Sequence, residues 1–422
     1  MTDRTILHCD LNGFYASVEC IGKPELKRVP MAVCGSPELR HGIILAKNEL
    51  AKKAGVQTAE TIWQARKKCP DLVLVPPHHS KYAEISKQIN EVYQRYTDMV
   101  EPFGIDESWL DVTGSRNLFG DGVKIANELR EIIKKEFDLT ISVGVSFCKV
   151  LAKLGSDLKK PDATTVVSRE NFREVAWPRP AGELLFVGKR AVETLSRFGI
   201  KTIGDLANAD PNLLERVLGR MGRTIYDYAR GEDTSPVRRY GEQEEAKSIG
   251  NGVTFSRDLI SERDIQAGLL SLSDEVAGRL RRHGMRCTSI QVQIRSPEFK
   301  NISRQQKLSR PTALAREIYL SALDIVHANW AVGSPIRQLT VTAMNLLHEG
   351  EAAEQMDLFA SPETERRREK REKLESAIDS IRGKFGGEAI SFGAVQGSDI
   401  FSARAADEEP MTEESEENGS QI

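Results

Sequence analysis

Residues 6–16 read ILHCDLNGFYA, and residues 101–113 read EPFGIDESWLDVT. Each stretch has the pattern of a short apolar strand with a carboxylate at its end or in a tight hairpin, where the side chain can leave the sheet. The adjacent acids Asp106 and Glu107 repel each other unless a cation or a basic residue neutralises them. Together with Asp10 they would supply three carboxylates from two strands. Such a set suits a pair of Mg²⁺ ions, because magnesium prefers hard oxygen ligands.

Exposure to solvent is the alternative interpretation of these acids. Most Asp and Glu side chains face water, in hairpins and turns as elsewhere. For either stretch alone that interpretation is the stronger one. The two stretches together favour a catalytic site.

The length and composition indicate a multidomain protein. A chain of 422 residues is too long for one hydrophobic core, and such a length predicts about two to four domains. No apolar run reaches membrane-spanning length, and the N-terminus lacks the basic and apolar regions of a signal peptide. The six cysteines form no Cys-x-x-Cys pair, which favours reduced thiols. We therefore expect a cytoplasmic protein without a membrane association.

The net charge of -3 hides an uneven distribution. Every charged residue of 407–417 is acidic, whereas Lys and Arg outnumber Asp and Glu in residues 247–347. The charge of such a basic region, rather than the net charge of the whole chain, is relevant to phosphate binding. The acidic end, residues 407–422, has the composition of a disordered tail.

Residues 10–19, DLNGFYASVE, and residues 105–113, IDESWLDVT, match two catalytic motifs nearly throughout. They resemble those of the Y-family DNA polymerases, specifically of the DinB type. The resemblance implies an α/β multidomain fold, a right-hand polymerase with palm, small fingers, helical thumb and α/β little-finger domain. It divides the chain into a palm (1–13 and 80–170), fingers (14–79), a thumb (171–238), a linker (239–246), a little finger (247–347) and a C-terminal segment (348–406).

The pattern of the first 170 residues is compatible with this fold, because strand-like runs alternate with amphipathic helices. Strands are predicted at 31–34, 72–75 and 141–145, and helices near 80–99 and 121–137. Residues 171–238 read as helical throughout.

The resemblance implies a low-fidelity translesion DNA polymerase that adds deoxynucleotides to a primer 3′ end on a DNA template and acts as a monomer. Two Mg²⁺ ions are its expected cofactors. Asp10 and Asp106 would bridge both ions, Glu107 would bind the ion nearer the primer, and the backbone carbonyl of Leu11 would bind the ion of the nucleotide. Asn12 stands where many relatives carry Asp and is not counted as a ligand.

The same resemblance assigns residues to the deoxynucleoside triphosphate. Tyr15 occupies the steric-gate position, where its ring would clash with a 2′-hydroxyl. Phe14 is a core aromatic whose backbone N–H can reach a phosphate. Lys160 matches a phosphate-binding lysine, and Lys52 stands where the family has a bidentate arginine.

The fingers motif departs from the family pattern. Residues 47–55 read KNELAKKAG, so Glu49 replaces a tyrosine that donates to the triphosphate, and Lys52 lacks the arginine fork. An acid facing phosphate repels it, which puts nucleotide affinity in question. Lys47 is a candidate to compensate.

Two further regions are candidates for binding DNA. Residues 186–206 resemble a helix-hairpin-helix, in which Gly188 and Gly199 let backbone N–H groups approach a phosphate; a plain helix connection is the alternative. Residues 289–295 and 337–343 alternate with period two, which predicts Ile290, Val292 and Ile294 in a core and a polar opposite face. That face, with Arg295 and Arg337, would bind a duplex backbone, or it is simply solvated.

Residues 355–359, QMDLF, resemble the short peptide by which bacterial polymerases dock on the sliding clamp. Leu358 and Phe359 would fill an apolar cleft and Gln355 would set the register. Alone the match is weak, since pentapeptides recur by chance. Residues 363–384 then predict a charged helix with one apolar stripe, formed by Leu374, Ala377, Ile378 and Ile381.

Two other functions compete with polymerisation. A feeble polymerase relative could act as a DNA- and clamp-binding accessory, for which Glu49 and Lys52 are the support. A nucleotidyl cyclase could also place two metals on palm-like carboxylates. It would have no use for a helix-hairpin-helix, a basic second domain or a clamp peptide.

Overall fold

The computed structural model describes residues 3–35, 42–242, 245–331, 333–348, 350, 362–395 and 398–401. The chain divides into two compact units, and the division falls between residues 242 and 243. All six cysteines are free and buried. Within the described residues, no helix is both long enough and apolar enough to cross a membrane.

The first unit contains eight strands and twelve α-helices among its described residues. The strands are β1 (Ile6–Leu11), β2 (Met31–Cys34), β3 (Ile44–Lys47), β4 (Val73–Val75), β5 (Val100–Pro102), β6 (Glu107–Asp111), β7 (Ile141–Ser146) and β8 (Thr164–Val167). The helices are α1 (Phe14–Glu19), α2 (Glu49–Lys53), α3 (Ile62–Lys68), α4 (His79–Gln94), α5 (Arg116–Phe119), α6 (Gly122–Phe137), α7 (Lys149–Leu158), α8 (Phe172–Ala176), α9 (Lys189–Ser196), α10 (Ile203–Asn208), α11 (Pro211–Leu218) and α12 (Arg220–Ala229).

A five-stranded sheet in the order β5-β6-β1-β7-β8 forms the centre of this unit. The central strand β1 is fully buried and pairs antiparallel with both β6 and β7. Because side chains alternate between the faces of a strand, Leu7, Cys9 and Leu11 pack into one core with residues of α4 and α6. His8 and Asp10 point to the other face, where they meet residues of α7 and the segment after it.

Gly144 in β7 lets α7 lie directly on the sheet. A Cβ atom at this position would be 1.8 Å from the carbonyl oxygen of Ala152 and 2.6 Å from the amide nitrogen of Ser156. Any larger residue would therefore push α7 away. This close approach brings the polar side chains of α7 within reach of β1 and β6.

A smaller sheet, in the order β3-β2-β4, lies in the same unit with α2 and α3. Asn48 is the N-cap of α2, where its side chain accepts from the Ala51 amide. Its Nδ2 donates to the Val29 carbonyl at 2.7 Å. This one side chain both begins the helix and ties it to the chain before β2.

The predicted helix near 80–99 ends earlier than expected, at Gln94. Thr97 donates from its hydroxyl to the Asp111 carbonyl, so the chain is already turning into β5. Residues 171–238 are helical only to Ala229. Their core consists of apolar residues of α9 to α12, including Leu195, Ile203, Leu206 and Leu214, and continues into α7 through Leu151 and Leu154.

The second unit is a four-stranded antiparallel sheet with helices packed on one face. Its elements are β9 (Ser248–Leu259), α13 (Glu262–Arg282), β10 (Met285–Arg295), β11 (Asn301–Thr312), α14 (Ala315–Asn329), β12 (Ile336–His348) and α15 (Pro362–Phe385), with sheet order β11-β10-β12-β9. The predicted core residues Ile290, Val292 and Ile294 are buried against α13 and α14. Ser289 was expected on the polar face; it is buried, and its hydroxyl accepts from the side-chain amide of Asn345.

Helix α15 corrects the predicted apolar stripe. Leu374 is 59% exposed and Ile381 is 37% exposed, so this stripe is not the packing face. The helix is instead attached by ion pairs: Arg281 contacts Glu375 and, at 2.6 Å, Asp379. Arg382 reaches Asp274 of α13 at 2.8 Å. Charged residues make the docking face here because the surface of α13 that they meet is itself charged.

Candidate active site

The two acidic stretches meet at the edge of the central sheet. Asp10 lies opposite Glu107 in the register of β1 and β6. One residue further on, the Leu11 amide donates to the Asp106 carbonyl at 2.9 Å. Gly104 has φ 79° in the hairpin that precedes Asp106, a conformation that side chains disfavour. The pairing and the tight hairpin bring the three predicted carboxylates together.

The environment of Asp10 and Asp106 disfavours the ionised form of both carboxyl groups. Burial, together with the negative charge of Glu107, raises the pKa of Asp106 to about 6. Burial also raises the pKa of Asp10, against the opposing influence of Lys160. A raised pKa means that the ionised form is disfavoured. Cations that bind this cluster therefore relieve both desolvation and repulsion.

Glu107 differs from its two neighbours. Burial alone would raise its pKa, but contacts with His8 and Lys153 hold the pKa of Glu107 below the ordinary range. Lys153 of α7 forms an ion pair with Glu107 Oε2. Lys160 donates to Asp10 Oδ2 at 2.6 Å and to Asp157 Oδ1 at 2.8 Å. Two ammonium groups thus neutralise the acidic cluster.

The donor set fits divalent cations of the magnesium type. No three His, Cys, Asp or Glu residues in the described ranges have the arrangement of a metal cluster. The oxygens themselves are hard ligands, buried and mutually repelling, as a Mg²⁺ site requires. Displacing Lys153 and Lys160 would free one oxygen each on Glu107 and Asp10.

Asn12 serves the structure rather than the cluster. Its Oδ1 accepts from the Asp162 amide at 2.8 Å, and its Nδ2 donates to Ser142 at 3.0 Å. These bonds tie the end of β1 to β7 and to the loop after α7. Leu11 is the last residue of β1, directly beside Asp10.

Tyr15 lies on a rigid aromatic support. Its ring stacks on Tyr82 with centroids 4.2 Å apart and 16° between the planes. The Tyr82 hydroxyl donates to the buried Glu19 at 2.5 Å. Burial, followed by the charge of Asp106, raises the pKa of Tyr15, so the phenol is close enough to the acidic cluster to sense it. Phe14 is 3% exposed and belongs to the core.

The residues of the fingers motif lie apart from the carboxylates. Lys52 bonds Glu49 at 3.2 Å on the surface of α2, and both side chains are 54% exposed. Burial, and then the positive charge of Lys52, lower the pKa of Lys47. Lys47 and Lys52 therefore form a cationic pair. Lys52 partly neutralises the negative charge of Glu49.

The two hairpin turns of the helical segment differ from each other. Gly199 has φ 76°, a conformation that suits glycine. In the first turn the left-handed residue is Phe186, which stands where some family members carry glycine, with φ 67° and a side chain 55% exposed. Gly188 follows in an extended conformation and begins α9. A Cβ at Gly188 would meet nothing within 4 Å.

Three strands of the four-stranded sheet carry bases without acids. Strands β10, β11 and β12 contain no Asp or Glu, and their basic residues are Arg286, Arg295, Arg304, Lys307, Arg310 and Arg337. Arg295 donates to Asn301 at 2.8 Å, and Arg337 lies 4.8 Å from the ring centroid of Phe299. Gln355, Leu358 and Phe359 lie outside the described residues.

Sequence reasoning missed three polar residues around Glu107. His8, Lys153 and Ser156 all lie on buried or half-buried surfaces between the sheet and α7. The available signal was a histidine in the middle of an apolar strand and polar residues at the helical spacing 149, 153 and 156. Neither signal indicates which residue these side chains contact.

Comparisons with known proteins identify the family. The family described as impB/mucB/samB matches residues 9–157, and its C-terminal domain matches residues 246–358. The DNA polymerase IV of Acetivibrio thermocellus is 47% identical over 383 residues, which are 91% of this chain and 95% of that protein. This chain belongs to the DNA polymerase IV family. The relationship predicted from the two acidic motifs is confirmed.

Other DNA polymerase IV proteins are similar over nearly the same length. That of Moorella thermoacetica is 36% identical and covers 92% of this chain and 95% of its own. DNA polymerase IV 1 of Bacillus subtilis is 34% identical and covers 93% of each. A Y-family DNA polymerase chimera of Dbh and Dpo4 superposes with a TM-score of 0.72 at 22% identity, covering 82% of this chain and 99% of its own. This likeness confirms the α/β multidomain fold, with the little-finger sheet at the C-terminal side.

Proposed function

We propose that this Y-family translesion polymerase extends primer 3′ ends at a two-metal centre built from Asp10, Asp106 and Glu107. The observation that carries the proposal is that these carboxylates meet where β1 ends and β6 begins. Two bound Mg²⁺ ions would activate the primer 3′-oxygen and neutralise the triphosphate and the leaving pyrophosphate. Primer extension with variants of the cluster is the test, described in the Discussion.

The protein groups have separate tasks in this proposal. Asp10 and Asp106 would hold both ions, Glu107 would hold the ion nearer the primer, and the Leu11 carbonyl would bind the ion that accompanies the nucleotide. Lys160 leaves Asp10 to bind a phosphate, with Lys47 and Lys52 as further cationic contacts. Tyr15, fixed by Tyr82, excludes a 2′-hydroxyl. Phosphoryl transfer needs this positioning and charge neutralisation more than covalent chemistry.

The domain assignment is part of the same proposal. The five-stranded sheet corresponds to the palm (1–13 and 80–170), the three-stranded sheet to the fingers (14–79), and the helical segment to the thumb (171–238). The four-stranded sheet corresponds to the little finger (247–347). Its acid-free strands, with Arg295 and Arg337, suit sequence-neutral contact with a duplex backbone.

The thumb contributes to DNA binding through Gly188. Its φ of -75° and the open space around it mean that the fold itself does not require glycine there. Close approach of a phosphate to the N-terminus of α9 does require it. We expect Gly188→Ala to leave the unfolding temperature unchanged and to weaken primer-template binding about tenfold, which corresponds to ~1.4 kcal/mol. Fluorescence anisotropy with labelled primer-template measures this.

Gly383→Ala is the matched control for this substitution. Gly383 lies in α15 and also has open space around its Cβ, so the same added methyl should leave DNA affinity unchanged. Equal affinity of Gly188→Ala and the parent protein would show that the first hairpin does not contact DNA.

The sliding clamp is the proposed protein partner, through Gln355, Leu358 and Phe359. The support is the sequence of residues 355–359 in a polymerase chain. We expect deletion of these residues to abolish stimulation of primer extension by the clamp while clamp-free synthesis is retained. Product lengths with and without clamp measure this.

A substitution of an exposed apolar residue outside the peptide is the control for the deletion. Leu374→Ala changes a side chain of α15 that is 59% exposed and should leave clamp stimulation intact. Stimulation that survives the deletion would refute the peptide assignment.

Of the two alternative functions, one is excluded and the other is open to a direct test. The family relationship excludes the nucleotidyl cyclase. The accessory role, without efficient catalysis, was supported by Glu49 and Lys52. These two residues form an ion pair with each other on the surface of α2, and the three carboxylates of the proposed metal centre are all present. Nucleotide turnover by the purified protein decides this point.

A further inference from the structure

His8 is a polar residue in a fully buried strand of the first unit, β1. It lies in β1 between Trp109 of β6 and Gly144 of β7, and its side chain is 0% exposed. An apolar residue would fill such a position at lower cost, because an imidazole needs partners for its ring nitrogens. The contacts of the two nitrogens therefore indicate what the residue does.

Nδ1 has a partner on α7. It lies 2.8 Å from the hydroxyl oxygen of Ser156, and that oxygen is also 2.8 Å from the Lys153 carbonyl. The hydroxyl has a single proton and can donate it to only one of these acceptors. If Ser156 donates to Nδ1, the proton of the neutral imidazole is on Nε2. If Ser156 donates to the carbonyl, the proton is on Nδ1.

Nε2 decides between the two tautomers. It is a buried atom with no hydrogen-bond partner of good geometry among the described residues. The nearest charged oxygen is Oε2 of Glu107, at 3.3 Å. A lone pair on Nε2 would face this carboxylate and be repelled, whereas an N–H would be attracted to it.

We infer that His8 is a positioning residue of the polymerase centre, whose Nε2–H is attracted to the Glu107 carboxylate 3.3 Å away and restrains its orientation. Lys153 contacts the same oxygen, Oε2. His8 and Lys153 therefore both restrain Oε2 of Glu107. The ring is held by packing against Trp109, at 5.3 Å between centroids, and by Ser156. A rigid donor of this kind keeps a metal-binding carboxylate in place.

The inference rests on the proposed role of Glu107, and its first test does not depend on activity. Two-dimensional ¹H–¹⁵N spectra of the full-length protein with ¹⁵N-labelled histidine report which ring nitrogen carries the proton. The chain has seven histidines, and the His8 signals are those that disappear in His8→Gln. We expect Nε2 of pyrrole type and Nδ1 of pyridine type. The reverse pattern would overturn the inference.

The second test uses substitutions that keep or remove the donor. Gln places an amide N–H near the position of Nε2, whereas Asn places one near Nδ1 only and Phe places none. We expect His8→Asn and His8→Phe to lower kcat and to raise the Mg²⁺ concentration for half-maximal incorporation by about 10- to 100-fold. His8→Gln should restore most of both, with KM for the nucleotide little changed in all three.

His327→Gln is the matched control, because His327 also contacts a glutamate, Glu262 at 2.8 Å, in the second unit. Its Mg²⁺ requirement should equal that of the parent protein. Equal Mg²⁺ requirements for folded His8→Asn and His8→Gln would overturn the positioning role. An inactive parent protein with the expected tautomer would instead contradict the proposed function.

Discussion

Asp106→Ala and Glu107→Ala should each remove nucleotide incorporation while primer-template binding remains. Each substitution deletes a carboxylate from a cluster in which Asp10, Asp106 and Glu107 meet at one sheet edge. Loss of a cation from this cluster leaves the charge of the transferring phosphate uncompensated. We expect a loss of about 10³-fold or more in kcat, which corresponds to ~4 kcal/mol. Single-nucleotide primer extension measures the loss, and anisotropy measures the binding.

Asp111→Asn is a suitable control because Asp111 belongs to the same strand, β6, but outside the cluster. Its Oδ1 accepts from the Thr113 amide, and the Asn oxygen can keep that bond. Incorporation should therefore stay within a few-fold of the parent value. Substantial incorporation by Asp106→Ala would contradict the two-metal assignment.

The isosteric variant Asp106→Asn adds a readout that needs neither DNA nor metal. The pKa of Asp106 is raised from its ordinary value of 3.8 to about 6, so the folded protein binds this proton more tightly than the unfolded chain. Stability from this group is present below the ordinary value and is lost as pH rises towards 6. In metal-free buffer, the variant should therefore unfold at a higher temperature than the parent protein above pH 6, and the difference should shrink towards pH 4.

Tyr15→Ala should sharply raise insertion of ribonucleotides. The ring of Tyr15 stacks on Tyr82, 4.2 Å away, and the Tyr82 hydroxyl bonds the buried Glu19. A ring fixed in this way excludes a 2′-hydroxyl by steric clash, and Ala leaves the space open. We expect the ratio of kcat/KM for deoxy- over ribonucleotide to fall about 100-fold, which corresponds to ~2.7 kcal/mol.

Tyr15→Phe keeps the ring and loses only the hydroxyl, so it should discriminate nearly as well as the parent protein. Both variants are measured with the same primer-template and the same Mg²⁺ concentration. Unchanged sugar discrimination in Tyr15→Ala would refute the gate assignment, whatever the effect on overall rate.

Local patterns predicted much of the chain correctly. Apolar runs that end in acids predicted β1 and β6, and period-two alternation predicted the buried face of β10. The two acidic motifs also identified the family. These features could be found because they depend on residues that are close together in the chain, where strand and helix periods are visible.

Longer-range features were missed or predicted wrongly. The sequence predicted one apolar stripe on α15, but ion pairs of Arg281 and Arg382 attach this helix. The left-handed conformation of Phe186 in the first hairpin of the helical segment was not predicted. Local periodicity cannot foresee either result, because each depends on which surface the segment meets.

By itself, the sequence of this protein determined its family, several of its strands and helices, and the three acids expected at the reaction centre. Only the tertiary structure showed that Lys160 meets Asp10 across 150 positions of the chain and that His8 and Lys153 converge on Glu107. The physical reason is that a charge or a hydrogen-bond donor acts through space. Its partner is decided by how closely α7 can pack on the sheet at Gly144. That distance cannot be predicted from the periodicity of the sequence.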